Sequence, residues 1–324
     1  MAFVHPIPKK GDRSNYRPIA ITSLFSKTME FIVSCQLMRF LEDHQLISDR
    51  QYGFGRGQSA GDLLVYLTHR WAQAVESKGE ALAVSLDIAK AFDRVWHKAL
   101  LSKLPSYGLP EKLCDWITSF LADRSIKVVV DGVSSDCKPI NAGDSTGDAL
   151  YTGHANISRG NFSKYSDWGR LNLVQFNPQK TQVCALTAKK NPFVVSPQFQ
   201  GTPLVDLASI GILGVDISSD VQFRGHLEEK AKLASKNLGV LSRAGQYFMP
   251  AHRLQLYKAQ VRPHMEYCSH FWAGAPQYQL HPLDRIQCRA ARIVDDRVLS
   301  DRLDSLALRR DVASLCIFFH IYHG

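Results

Sequence analysis

No two of the seven cysteines stand in a C-x-x-C pair. They are scattered at Cys35, Cys114, Cys137, Cys184, Cys268, Cys288 and Cys316. The odd, dispersed set argues against a disulfide framework or a zinc knuckle and fits a reducing compartment. The 12 histidines contain no H-E-x-x-H. His264 and His270 sit near Cys268, but their aromatic neighbours suit a packed helix better than a metal site. No apolar run is long enough to cross a bilayer. The opening "MAFVHPIPKKG" has neither the apolar core nor the cleavage site of a signal peptide. An intracellular setting, cytoplasmic or nuclear, is therefore expected, with no membrane partner. Acid is also scarce relative to base, with 30 Asp and Glu against 39 Lys and Arg, a formal charge of +9. There is no internal repeat.

What is present suits a globular chain. The 324 residues are 45% hydrophobic, enough for one large domain or two to three subdomains with a core. The positive balance points to a polyanionic partner, nucleic acid first and an anionic membrane surface second; the plain alternative is solubility.

Prolines at 6, 8 and 18 make the first twenty residues extended strand and turn. Leu24, Phe25, Phe31, Ile32, Leu37, Phe40 and Leu41 then recur at helical spacing. After the basic, glycine-bearing "SDRQYGFGRGQSAG", a second helical stripe uses Leu64, Leu67, Trp71, Ala74 and Val75, with Asp62 as expected N-cap and Gly79 as stop. Residues 81–86 form a short apolar run, expected as a buried strand ending on Asp87. Asp93 is expected to cap the helix "RVWHKALLSKL", and another helix covers 111–122. "SIKVVVDGVSSDCKPI" predicts a hairpin turning at Asp131-Gly132. From 141 to 169 no period is legible. "LNLVQFNPQKTQVCALT" and "LASIGILGVDI" read as strands, and beyond Phe223 the chain is mostly helical. That last part is basic: Arg224, Lys230, Lys232, Lys236, Arg243, Arg253 and Lys258 outnumber Glu228 and Glu229.

A buried strand ending in a carboxylate is a rigid way to present a metal ligand. Mg²⁺ takes oxygen ligands, commonly one or two carboxylates plus substrate phosphates. Asp87 is thus either such a ligand or an ordinary turn or cap residue, and Asp93, six residues on and past a turn, is better placed as a helix cap.

"LDIAKAFDRVWHKALLSKL", "IPKKGDRSNYRPIAITSLFSKTMEFIV", "QYGFGRGQSA", "FNPQKTQ", "LGVDI", "LYKAQVRPHMEYCSHFW" and "LDRIQCRAARIV" together resemble the reverse transcriptase of non-LTR, jockey-like retrotransposons. The blocks follow the family's order over nearly the whole chain. The resemblance implies an α+β polymerase right hand. Residues 1–79 would be fingers, 80–222 palm and 223–324 a helical thumb and C-terminal segment. It also implies RNA-directed DNA polymerisation with Mg²⁺, an RNA template, a DNA primer and deoxynucleoside triphosphates.

By position, Asp87 matches the aspartate that binds both metals, and the Ile88 carbonyl a further ligand. Phe92 matches the aromatic that abuts the incoming sugar; core packing is its alternative role. Arg17, Lys9 and Lys10 fall in the strands that touch the triphosphate, with solvated charge as the alternative. Lys180 matches a lysine near the leaving pyrophosphate, or is an exposed turn lysine. Arg224, Lys230, Lys232, Lys236 and Arg243 are candidate nucleic-acid contacts.

Two family blocks are missing. The sequence has no Pro-Gln-Gly and no aromatic-x-Asp-Asp. "NAG" at 141–143 resembles what precedes the first block. "DSTGDA" at 144–149 resembles the end of the second, which makes Asp144 a stranded member of the metal set. The chain is expected to jump from one block to the other near 143–144, leaving an incomplete palm, an incomplete Mg²⁺ site and impaired catalysis. The Asp295-Asp296 pair lacks the preceding aromatic and is expected to be a decoy. The alternative function is a non-catalytic nucleic-acid binder using the basic helices.

Overall fold

The computed structural model describes residues 2–9, 12–55, 57–77, 79–91, 94–143, 162–172, 174–189 and 197–323. In chain order the strands and helices begin with β1 (Ala2–Lys9), β2 (Asp12–Ile21), α1 (Leu24–Asp43), α2 (Ala60–Glu76), β3 (Glu80–Ser85), α3 (His97–Lys103), α4 (Glu111–Leu121), β4 (Ser125–Val130), β5 (Val133–Ser134), β6 (Lys138–Pro139) and α5 (Phe162–Leu171). They continue with β7 (Gln182–Thr187), β8 (Gln198–Phe199), β9 (Thr202–Pro203), β10 (Ser209–Ile212), β11 (Val215–Ser218), α6 (Arg224–Ala244), α7 (Pro250–Gln260), α8 (Arg262–Glu266), α9 (Ser269–Trp272), α10 (Gln277–Val294), α11 (Arg297–Ser300) and α12 (Leu306–His323). The mix of helix and mostly antiparallel sheet is the α+β class that the sequence predicts.

The chain divides into two compact units. The first comprises Met1–Arg56, Asp87–Gly153 and Ser163–Gln179; the second comprises Gly57–Leu86, His154–Phe162 and Lys180–Gly324. Both units therefore draw on the 80–222 segment.

In the first unit β1 and β2 pair antiparallel from Phe3↔Ile21, and β1 pairs parallel with β4 from Ala2↔Ile126 to Val4↔Val128. The sheet order is β2-β1-β4-β5, with β6 also on β4. Pro6 and Pro18 stand opposite each other. The Asp131-Gly132 turn has φ of 49° and 80°, the two left-handed residues that a tight hairpin with strand-matched twist requires. Helix α1 is unusual: 20 residues long, it buries none of them, and Phe25 is 84% exposed.

In the second unit α2 buries Leu63, Leu64, Leu67 and Trp71. Its N-cap is Ser59, not Asp62 as expected. Ser59 Oγ accepts from the Asp62 N–H at 3.2 Å, and Asp62 Oδ2 accepts from the Ser59 N–H at 2.7 Å. This reciprocal capping box satisfies two orphan donors, which a lone Asp62 cap would not. Gly79 follows the helix as expected; a Cβ there would lie 2.6 Å from the Ala74 carbonyl oxygen.

β3 and β7 form an antiparallel pair from Glu80↔Thr187 to Ser85↔Gln182. The other edge of β7 is occupied: Val183 O accepts from Leu207 N–H at 2.8 Å, and the Ala185 N–H donates to Asp206 Oδ1 at 2.9 Å. Among the described residues no strand pairs with the other edge of β3.

Two more expectations need correction. The helix expected from Arg94 starts at His97. Its would-be first turn is spent elsewhere, because Val95 O accepts from Gly143 N–H at 2.9 Å and Trp96 bridges Ala142. Asp93, its expected cap, lies outside the described residues. A helix, α5, also lies within the stretch where no period was legible, with Trp168 set against Phe176 at 6.4 Å between ring centroids. One aromatic anchor is too little to produce a sequence period.

The largest core is helical and lies in the second unit. Leu227, Ala234, Leu238 and Leu241 of α6 pack with Tyr257, Met265, Trp272 and Leu280, Leu283, Ile286, Ala290 and Val294 of α10. His270 and Cys268 lie outside this core and are half-buried, with the His270 ring against Gly61 of α2. Burial lowers the His270 pKa and raises that of the Cys268 thiol.

His226 is 1% exposed, and its Nδ1 accepts from the Asp216 N–H at 3.2 Å. An accepting Nδ1 means a neutral ring. Burial first, and Lys230 second, lower its pKa to about 4; Asp216, 3.8 Å away, opposes this without overcoming it. An unfolded histidine titrates near 6.5. The unfolded state therefore binds the extra proton between about pH 6.5 and 4, so stability is full above that window and falls through it. The expected loss is on the order of 3 kcal/mol across the window. Urea unfolding against pH checks this, and His226→Gln should flatten the dependence.

Candidate active site

Asp87 leaves the apolar strand half-buried, and a turn follows at once. Its backbone is held by an antiparallel bridge between Ile88 and Phe176. The Asn177 N–H donates to Asp87 O at 2.7 Å, and the Ala89 N–H donates to Gln175 O at 2.8 Å. These bonds flank Ile88, so the Ile88–Phe176 pair is of the non-hydrogen-bonded kind. The carbonyl of Ile88 is thus turned away from the bridge. Lys90 next takes a left-handed φ of 51°. Only a few per cent of non-glycine residues do so, and here it reverses the chain sharply after Asp87. Opposite, Asn177 Oδ1 accepts from the Gln179 N–H at 3.1 Å, an Asx turn that brings the chain to Lys180, whose side chain is exposed.

Asn141, Ala142 and Gly143 are pinned beside the start of α3. The His97 N–H donates to Asn141 O at 3.1 Å, and buried His97 Nε2 donates to Gly143 O at 2.8 Å. A small cavity of about 170 Å³ lies in the same unit between Ile88, Arg94, Trp96, Lys103 and Asn172. Its cations are held in place: Arg94 donates to Gln175 Oε1, and Lys103 Nζ to Asn172 Oδ1 at 3.2 Å.

The other expected residues divide by placement. Phe92, Asp144 and Lys10 lie outside the described residues. Lys9 and Arg17 are placed as backbone, paired with Asp12 and Ile7; their side chains lie outside the description. Among the described residues no three His, Cys, Asp or Glu side chains gather as a metal-binding group. One carboxylate and one carbonyl supply too few oxygens for two Mg²⁺ ions. The described donors therefore do not fit a two-ion centre. Asp295 and Asp296 serve as caps. Asp295 ends α10 with φ 58°, and Asp296 Oδ1 accepts from the Leu299 N–H at 3.0 Å to start α11.

The basic residues separate by helix face. A cleft of about 770 Å³ runs between α6 and α10. Ala231, Ser235 and Gly239 sit at a four-residue spacing along it, and Lys232, Lys236, Arg243, Arg285 and Arg289 supply its charge. Among the described residues no carboxylate lines it. Arg289 Nη1 donates to Ser235 Oγ at 3.3 Å across the cleft. Arg224 is elsewhere, paired with Glu228 at 3.0 Å, and Lys230 faces His226 and Cys268. Arg285 and Arg289 were missed from sequence. Their four-residue spacing on α10 was the available signal, hidden because the charge bias was read only over 224–258.

Residues 7–150 match the family described as reverse transcriptase (RNA-dependent DNA polymerase). The chain is 25% identical over 345 positions to the probable RNA-directed DNA polymerase from transposon BS of Drosophila melanogaster, covering 89% of this chain and 37% of that protein. It is 34% identical over 139 residues to the RNA-directed DNA polymerase from mobile element jockey of the same organism, covering 43% and 15%. A third match is the Pol polyprotein from the type-1 retrotransposable element R2 of Popillia japonica, 33% identical over 152 residues, covering 44% and 20%. The chain is thus similar to the reverse transcriptases of non-LTR retrotransposons.

The chain spans well under half the length of these relatives. Its matched region contains Asp87 and the 141–143 segment held by His97. Replacing His97 by Phe removes a buried bond to Gly143 O and should cost about 1–3 kcal/mol. Faster amide exchange at Gly143 than in the parent protein would report the release of that segment.

Proposed function

We propose that this chain is an RNA-directed DNA polymerase by family whose nucleotidyl-transfer centre is incomplete and whose catalysis is impaired. One observation carries the proposal. The transposon BS alignment covers 345 positions but uses 89% of these 324 residues, about 288, so about 57 positions have no residue here. The family match ends at residue 150, just past Gly143–Asp144, where the Pro-Gln-Gly and aromatic-x-Asp-Asp blocks are missing. Residues 1–79 then correspond to fingers, 80–222 to a palm interrupted near 143–144, and 223–324 to a thumb-like segment. Asp87, the Ile88 carbonyl and Asp144 are the remaining metal ligands. Phe92 would face the sugar, Arg17, Lys9 and Lys10 the triphosphate, and Lys180 the leaving pyrophosphate. The unpaired edge of β3 and the bare α1 support the reading, since a lost hairpin leaves its neighbours uncovered.

In this proposal Asp87 fixes one carboxylate at a strand end but is left without its partners. Preorganised charge stabilisation is commonly the largest contribution to catalysis, so loss of ligands outweighs the retained positioning groups. Primer extension on poly(rA)/oligo(dT) with Mg²⁺ or Mn²⁺ should give no product above an Asp87→Ala control. Extension that depends on Asp87 would overturn the proposal.

The cleft between α6 and α10 favours a second reading, a non-catalytic binder of nucleic-acid backbone, because five cations face it without a carboxylate. Binding through phosphates releases counterions, with a log–log salt slope of about −0.9 per phosphate neutralised. Changing Lys232, Arg285 and Arg289 to Ala should weaken binding and flatten that slope by about 2–3. Fluorescence anisotropy across a salt series checks this; affinity unchanged from low to moderate salt would count against it.

A further inference from the structure

Helix α12 carries two stripes with the same four-three-four-three spacing. One comprises Leu306, Arg310, Ala313, Ile317 and His320, and the other Leu308, Val312, Leu315, Phe319 and Tyr322. The first is turned inward. Leu306 and Arg310 are buried, Arg310 Nη1 donates to Asp284 Oδ1 at 3.2 Å, and His320 Nδ1 lies 3.5 Å from Asp62 Oδ1. Anchored near both ends, the helix cannot roll. The second stripe is therefore held outward, each of its residues 50–74% exposed, with Phe318 beside it at 66%.

We propose that this bare stripe is a homodimer seam, with two copies of the chain packing α12 against α12 across a two-fold axis. Alternating three- and four-residue spacing is the pattern that keeps an apolar seam facing a partner helix. A two-fold pair uses one patch twice, so a single self-complementary stripe suffices. The area is also right. With aromatic side chains of about 150–250 Å² each, the six residues expose on the order of 700 Å², against ~800 Å² per partner in a standard interface. A typical monomer exposes a largest apolar patch of only ~300–600 Å².

The charge pattern selects the partner. Residues 312–322 contain no Lys, Arg, Asp or Glu. The helix's two arginines are turned to ion pairs, Arg309 with Glu266 and Arg310 with Asp284. No charge lies on the stripe itself, and Asp311, exposed beside it, stays at the rim of the seam. An interfacial membrane helix instead carries Lys and Arg along its polar face, and a nucleic acid would find no cation on this stripe. The inference does not depend on whether the polymerase site is active.

Sedimentation equilibrium of the nuclease-treated full chain tests it, with Leu315→Glu/Phe319→Glu as the variant. The parent should be dimeric at micromolar concentration and stay so at high salt. The variant should keep its helical circular dichroism and cooperative melt, yet associate on the order of 100-fold more weakly or less, as removal of central apolar anchors predicts. If the double variant does not fold, Phe319→Ser carries the same mass measurement. A monomeric parent overturns the proposal, as does a folded variant that remains dimeric. So does a parent that stays monomeric in solution and binds phosphatidylcholine vesicles.

Discussion

A strand's backbone has two edges, and β3 fills one. Its antiparallel register with β7 is complete over six pairs, and it delivers the chain to Asp87 at a defined point. β7 is supported from its other side through Val183, Ala185 and Asp206. β3 has no such second strand among the described residues. Backbone groups that are buried need partners, and exposed edges invite pairing. The position of Asp87 depends on this one-sided sheet, whose paired edge fixes the strand that leads into it.

The same imbalance separates the two ends of the chain. The C-terminal helices close around Leu238, Tyr257, Trp272 and Leu283, all nearly or wholly buried. Near the N-terminus α1 has apolar side chains at helical spacing and buries none of them. Intrinsic helix formation is weak without an apolar face to pack, so α1 has the composition of a packed helix without the packing.

Much of the architecture was legible because its causes are local. The Asp131-Gly132 turn, the apolar run before Asp87 and the helical C-terminal part each follow from residues close in sequence. The family blocks were legible for the same reason, since "LDIAKAFD" and "NPQKT" are contiguous. Errors fell where a distant residue decided the outcome or where the local signal was weak or shared between neighbours. Val95 and Trp96 gave up a helical turn to bonds with residues 142 and 143. Capping of α2 passed to Ser59 because serine and aspartate three apart satisfy each other. Helix α5 had one aromatic contact and therefore no period to find.

The sequence by itself determined the resemblance to reverse transcriptases, the position of Asp87 and the absence of the Pro-Gln-Gly and aromatic-x-Asp-Asp blocks, because residue identity and order carry those directly. Only the tertiary structure decided which cations share a cleft. Lys232 and Lys236 meet Arg285 and Arg289 about 50 residues away because α6 and α10 pack side by side, while Arg224 and Lys230 turn to other faces. It also decided which of two identically spaced stripes on α12 is inward. Arg310 and His320 find Asp284 and Asp62, and no periodicity could reveal that choice, since both stripes have the same period.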